Sequence, residues 1–134
     1  MAVYKIFPEK DATIYSDSVL QNTGLDSILE ISTFNSSSAS NYAAEVARTL
    51  IQFSDSDINT ALNLVGNSSK AVYLKMFIAD ASGVNKDTTI KVLPVSSSWQ
   101  MGTGKRLDSP IITNGVSWQF ATSSGSGEWD GPGS

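Results

Sequence analysis

The chain contains neither histidine nor cysteine among its 134 residues. Without imidazole it lacks the commonest general base, and without thiolate as well it lacks the usual zinc ligands. No disulfide framework can form, so noncovalent packing has to stabilise the fold. Catalysis through Ser, Asp or Glu stays open in principle, but serines occur in runs such as 36–38 and 96–98, not in a nucleophile elbow. The sequence therefore predicts a protein that is not an enzyme.

Positive charge and long apolar runs are also scarce. The formal net charge is -4, and the few basic residues are scattered, whereas phosphate binding needs clustered Lys and Arg. No run approaches the roughly 20 apolar residues of a membrane span. Charged residues at Lys5, Glu9 and Asp17 interrupt the beginning of the chain, unlike a signal peptide. We expect no nucleic-acid partner, no membrane insertion and no export signal.

Short alternating segments are the main structural signal. Two of them, 71–79 and 88–95, predict strands joined by a hairpin loop over 81–87. Further strands are predicted over 3–7, 12–16, 27–32 and 47–53, with a turn at Asn22-Thr23-Gly24. One short helix containing Ile58 should begin after the capping residues 54–57 and end at Gly66. This order is typical of a β-sandwich.

The ordered motifs resemble the DNRLRE type of β-sandwich domain, which is related to certain carbohydrate-binding modules. The motifs that carry the resemblance are Asp11-Ala12-Thr13-Ile14-Tyr15, Asn22-Thr23-Gly24, Arg48-Thr49-Leu50-Ile51-Gln52-Phe53, Ala71-Val72-Tyr73-Leu74-Lys75-Met76 and Ser98-Trp99. The opening segment 3–15, the 99–104 loop and the later Gly115-Val116-Ser117-Trp118 look most like the version in virion proteins of tailed phages, notably those infecting marine cyanobacteria.

The resemblance implies a mostly β chain with one short helix, folded as a jelly-roll-like antiparallel β-sandwich. Residues 1–134 would be a single domain or the N-terminal part of one, with a Gly/Ser-rich loop or tail over 121–134. Such domains usually continue through further strands, so the turn-rich end predicts a fragment or an incomplete sandwich. Unpaired strand edges would then favour a homo-oligomer or a place in a larger assembly.

Two classes of function follow. The first is a structural protein of a phage virion, assembled in the host cytoplasm, that contacts other virion proteins in a tail, baseplate, fibre or capsid surface. Such a protein would also attach to a host-surface glycan if the particle uses the protein to recognise its host. The alternative is an extracellular carbohydrate-binding module of a secreted multidomain protein, in which loop aromatics hold a polysaccharide.

Five residues are the candidates for binding. Trp99, Trp118 and Trp129 lie in Gly- and Ser-rich loops, where an exposed ring stacks on a sugar or anchors a protein interface. The structural alternative, favoured for Trp99 and Trp118, is that the rings close the core, with Trp129 the most exposed of the three. Lys105 and Arg106 would face an acidic partner or glycan, or form a solvated loop tip.

Calcium is the one cofactor to weigh. Asp55, Asp57 and Asn59 alternate as in a calcium loop, but no glycine or closing glutamate follows, so a helix cap is the better interpretation. Asp80, Asn85 and Asp87 form a second, weak candidate for calcium, and their residue types are better explained as those of a solvated turn. The sequence predicts no cofactor. Arg48 precedes the apolar pair at 50–51 in a strand expected to be central, where a paired structural arginine is the default.

Overall fold

The computed structural model describes residues 3–35, 44–66, 69–81, 87 and 89–129. Within these ranges, three strands and one helix occur in the order β1 (Pro8–Tyr15), β2 (Ser32–Asn35), β3 (Ala44–Phe53) and α1 (Asp55–Val65). The strands form one small antiparallel sheet in the order β1-β3-β2. The chain is thus mostly β with one short helix, and the described residues form a single three-stranded sheet, not two packed sheets.

β3 is the central strand, as its sequence predicts. Ala12 of β1 pairs with Leu50, and Ile14 pairs with Arg48. Pro8 starts β1 at a register irregularity, which suits a residue that has no N–H to donate to a ladder. The strand predicted over 3–7 is therefore wrong: Val3 and Phe7 lie 71% and 78% exposed, ahead of the sheet.

The predicted strand over 27–32 is also misplaced, because β2 begins only at Ser32. Residues 27–31 instead pass beside β1, where the Glu30 amide donates to Thr13 Oγ1 at 3.0 Å and the Glu30 carbonyl accepts from Thr49 Oγ1 at 3.0 Å. Side-chain hydroxyls thus satisfy backbone groups that a strand would use for pairing. The polar loop predicted over 35–41 lies almost wholly outside the described residues.

α1 confirms the predicted helix and both of its ends. Ser54 is the N-cap, and its hydroxyl accepts from the Asp57 amide at 3.5 Å, while Asp55 and Asp57 place negative charge in the first turn. Gly66 ends the helix with a positive φ of 66°, a conformation that glycine adopts without a Cβ clash. None of the helix side chains is fully buried. No helix in the described parts of the chain is long and apolar enough to cross a bilayer.

The core lies between the sheet and the coil formed by residues 99–129. Its buried members are Ala12, Ile14, Trp99, Val116 and Ala121. Four partly buried side chains pack against them: Leu50, Met101, Trp118 and Trp129. This coil has few ladder bonds, with a single bridge between Phe120 and Glu128, so its shape depends on side-chain and turn hydrogen bonds.

The strands predicted over 71–79 and 88–95 are absent from the described residues of both segments, 69–81 and 89–95. A strand needs a neighbour for its backbone groups, and the described sheet contains only β1, β2 and β3. Most of the hairpin loop predicted between these segments, including Asn85, lies outside the described residues. The apolar side chains of both segments lie in solvent.

Candidate functional site

The buried side chain of Asn22 ties the 99–129 coil to the turn after β1. Its Nδ2 donates to the carbonyl oxygens of Met101 at 2.7 Å and Val116 at 2.9 Å. Its Oδ1 accepts from the amides of Gly104 at 2.8 Å and Gly24 at 3.3 Å. All four hydrogen-bonding positions of the amide are used, so this side chain fixes two separate stretches of the coil.

Glycines let the backbone approach this amide. A Cβ at Gly102, whose φ is 74°, would collide with the side chain of Asn22. A Cβ at Gly115 would meet Asn22 Nδ2 at 2.6 Å and the backbone of Gly102. The predicted turn at 22–24 is therefore a tertiary contact, and the glycines of the Trp-x-Met-Gly-Thr-Gly loop serve its packing.

Arg106 is partly exposed, but its guanidinium is held against the surface of the fold by several contacts. Its guanidinium donates to Asp17 Oδ2 and Ser18 Oγ, each at 2.8 Å, and to Gln21 Oε1 at 3.0 Å. It also lies 4.5 Å from the ring centroid of Tyr15, a cation–π distance. The structure thus gives Arg106 a positioning role, whereas the neighbouring Lys105 is exposed.

Among the described residues, the Tyr15 hydroxyl is the one group with a strongly displaced pKa. Burial, followed by the negative charge of Glu30 and its hydrogen bond to the phenol, raises the pKa of Tyr15 to about 12. The hydroxyl donates to Glu30 Oε2 at 3.1 Å. A phenol that keeps its proton is a donor here, with no role as a general base.

Trp99 is 5% exposed and lies in the core. The Lys10 ammonium lies 4.6 Å from its ring centroid and donates to its backbone carbonyl at 2.5 Å. A ring enclosed in this way cannot stack on an external sugar. Its placement fits the packing interpretation of this tryptophan.

Trp118 and Trp129 are both half-buried and lie together at the surface. The Arg48 guanidinium lies 4.8 Å from the ring centroid of Trp118. Trp129 Nε1 donates to the Ser117 carbonyl at 3.0 Å. Arg48 is thus paired with an aromatic ring, and each indole is held in place by a specific contact.

Between these indoles lies an open cleft of about 320 Å³. Val19, Gln119 and Glu128 complete its lining. The amide and carboxylate are exposed and offer hydrogen-bonding groups beside the rings. We call Trp118, Trp129, Gln119, Glu128 and Val19 the tryptophan cleft.

Sequence reasoning named the two indoles but missed Val19, Gln119 and Glu128. The Ser/Gly-rich stretch over 121–127 is the sequence signal that could have indicated Glu128, because it is typical of a turn. In the structure this stretch folds back so that Phe120 pairs with Glu128. The Ala121 amide donates to the Gly127 carbonyl at 2.7 Å, closing this turn. Of the loop or tail predicted over 121–134, residues 121–129 form a folded turn that carries part of the cleft, and residues 130–134 lie outside the described residues.

Two of the acidic residues weighed as calcium ligands lie where the favoured helix-cap interpretation places them. Asp55 and Asp57 lie in the first turn of α1. No group of three or more carboxylates suited to a metal occurs among the described residues.

The second unusual surface is the apolar segment, which we define as residues 72–78 and 90–95. Its most exposed side chains, with the exposed fraction of each, are those of Val72 (90%), Tyr73 (85%), Phe77 (85%), Ile78 (82%), Leu93 (76%) and Val92 (72%). Over 72–78, apolar side chains occupy both faces that a strand would have, which is typical of a strand buried on both faces. No such burial is present for the described residues of this segment.

A scan against protein-family models found no match. Searches of curated proteins and of solved structures likewise found none that matches this chain. The resemblance to the DNRLRE type therefore stays a prediction from the ordered motifs.

Proposed function

We propose that the chain is a non-catalytic structural protein of a phage virion, in a tail, baseplate, fibre or capsid surface, and that it acts through contacts with other proteins. The observation that carries the proposal is the exposed apolar segment. The virion setting rests on the ordered motifs that resemble phage structural domains. Its partners would be further copies of the chain and other virion proteins.

The exposed area supports a protein-binding role. Tyr73 and Phe77 at 85% exposure carry together roughly 250–400 Å² of ring and side-chain surface. That alone reaches the few hundred Å² of the largest apolar patch on a typical monomer. The aliphatic side chains of the same segment add to it, towards the roughly 800 Å² that each partner buries in a stable interface.

The predicted β-sandwich is part of this proposal, because assembly would supply its second sheet. Segment 72–78 has the two-sided apolar pattern of a central strand, whereas Pro94 makes segment 90–95 suited to an edge strand. Both would gain partners for their backbone groups from a neighbouring chain. Pairing of this kind would build a second sheet opposite β1, β2 and β3. The jelly-roll-like sandwich is thus proposed for the assembled protein.

Light scattering on separated fractions tests the proposal. The double variant Tyr73→Ser/Phe77→Ser removes the largest exposed rings, and we expect it to shift the protein from oligomer towards monomer. Leu107→Ser is the matched control, because Leu107 is 94% exposed but lies outside the apolar segment. A wild-type protein that stays a monodisperse monomer at every concentration would refute the assembly role.

A further inference from the structure

The sequence around Lys75 is symmetric in its chemistry. We call residues 70–80 the symmetric stretch, which contains the first part of the apolar segment. Positions at equal distances before and after Lys75 match in kind: Ala71 with Ala79, Val72 with Ile78, Tyr73 with Phe77, and Leu74 with Met76. The outermost pair, Lys70 and Asp80, has opposite charges. A strand with this symmetry is complementary to a second copy of itself that runs in the opposite direction.

The structure leaves this stretch open to a partner. All side chains over 71–79 are exposed. No backbone–backbone hydrogen bond among the described residues involves 71–79. A strand needs a neighbour for its N–H and C=O groups, and a strand added from another chain supplies one. Residues 71–79 therefore offer both the apolar side chains and the backbone groups that pairing requires.

Only one register preserves the symmetry. With Lys75 on a two-fold axis, Lys70 of each copy lies opposite Asp80 of the other, and Tyr73 lies opposite Phe77. Residues that are directly opposite share a face, so one face carries only aliphatic side chains between the charged ends, and the other carries the rings and Lys75. A slip of one residue would mix the two faces and would separate Lys70 from Asp80.

Lys75 sets the cost of this register, because the axis places it opposite its own copy. Like charges that are directly opposite destabilise a sheet, whereas opposite charges and aromatic pairs stabilise it. The axis creates the Lys75 contact once and every other pair twice, so the favourable pairs outnumber the unfavourable one. The Lys75 ammonium also lies 5.0 Å from the ring centroid of Phe77, a cation–π contact that offsets part of its charge.

The symmetry favours a second copy over other occupants. A different protein would place no such constraint on the order of residues 70–80, whereas a two-fold axis makes each position face its counterpart. Residues 90–95 of the same chain are the competing neighbour, but they lack this match, and Pro94 has no N–H for a central ladder.

We propose that two copies of the chain associate by antiparallel pairing of the symmetric stretch about a two-fold axis at Lys75. This inference rests on the proposed function and specifies the contact between copies on which assembly would depend. Because both copies present the same surface, the contact closes as a dimer.

Disulfide formation in single-cysteine variants of the full chain tests the register, because the chain has no cysteine of its own. In Lys75→Cys the two thiols face each other across the axis, with Cβ atoms about 4.5–5.5 Å apart, so we expect a covalent dimer on oxidation. Val72→Cys is the matched control, because its two thiols would lie about 20 Å apart along the strands. It should cross-link only when it is mixed with Ile78→Cys.

Charge reversal tests the same pairing without a new thiol. Lys70→Asp alone and Asp80→Lys alone each place like charges at both ends of the pair, and each should weaken dimerisation by about tenfold. The double variant Lys70→Asp/Asp80→Lys keeps the composition and restores opposite charges, so it should dimerise as the wild type does. Light scattering over a concentration series measures all four proteins.

The outcomes separate this inference from the proposed function. Selective cross-linking of Lys75→Cys, together with restored association in the double variant, supports the register. If the wild type forms oligomers but Lys75→Cys cross-links no better than Val72→Cys, or the double variant stays as weak as the single ones, the register is wrong and the assembly role stands. A wild type that stays a monomer at every concentration refutes both.

Discussion

Replacing Asn22 by alanine tests the central connection of the fold. The substitution leaves two carbonyl oxygens, of Met101 and Val116, and two amides, of Gly24 and Gly104, without their partner. A buried polar group that loses its partner costs about 1–3 kcal/mol, and the 3.3 Å bond to Gly24 is the weakest of the four. We expect a loss of about 3–5 kcal/mol in the free energy of unfolding, a large part of the 5–15 kcal/mol typical of a domain.

Asn114→Ala is the matched control. Asn114 also makes two side-chain hydrogen bonds, both with Thr103, at 2.8 and 3.0 Å, but it is exposed and water can replace them. Its loss should stay below about 1 kcal/mol. Urea unfolding followed by tryptophan fluorescence measures both. Equal losses for the two variants would refute the claim that Asn22 is the connection between coil and sheet.

Asn22→Asp refines the same prediction. The carboxylate keeps an acceptor for Gly104, but it directs a second oxygen at the carbonyls of Met101 and Val116. Protonation restores a donor, so the variant should gain stability relative to wild type as pH falls through the carboxyl pKa. A variant whose deficit is the same at pH 4 and pH 8 would contradict this explanation.

Three further predictions concern local contacts. Ser54→Ala should cost about 1 kcal/mol by removing the N-cap of α1, measured by urea unfolding with circular dichroism; an unchanged midpoint would contradict the cap. The pKa of Tyr15 is raised from 10.0 to about 12, so the contribution of its protonated hydroxyl to the free energy of unfolding is complete below pH 10 and is lost as the pH rises towards 12. Tyr15→Phe should flatten that part of the plot of stability against pH. A plot that the substitution leaves unaltered would exclude Tyr15 as the cause. Trp99→Ala should cost about 3–5 kcal/mol in the free energy of unfolding because it removes a buried ring from the core. Trp118→Ala should cost less, because Trp118 is only partly buried against that core; a larger loss for Trp118→Ala in urea unfolding would contradict the burial of the two rings.

Local signals account for what the sequence predicted well. α1 was predictable because its capping residues, Ser54 and Gly66, lie directly beside the helix. The central place of β3 was predicted from its apolar pair at 50–51. These features depend on neighbours in the chain, so periodicity and capping rules apply to them directly.

Contacts between distant residues account for what the sequence missed. Asn22 has the residue type of a turn, but its side-chain partners Met101, Gly104 and Val116 lie 79, 82 and 94 positions away. Alternation over 71–79 predicts a strand without saying which strand pairs with it, so the pattern alone could not place it in a sheet. Glu128 joins the tryptophan cleft only because the turn over 121–127 folds back.

The central claim is that this chain is a structural part of a virus particle. Peptide mass spectrometry on purified virus particles from a preparation that contains the chain measures this directly, with chemical cross-linking to record its neighbours. We expect peptides in amounts proportional to other virion proteins, with cross-links to a second copy or another virion protein from Lys75 or Lys91, which lie within the apolar segment. Peptides found only in the soluble fraction, outside particles, would contradict it.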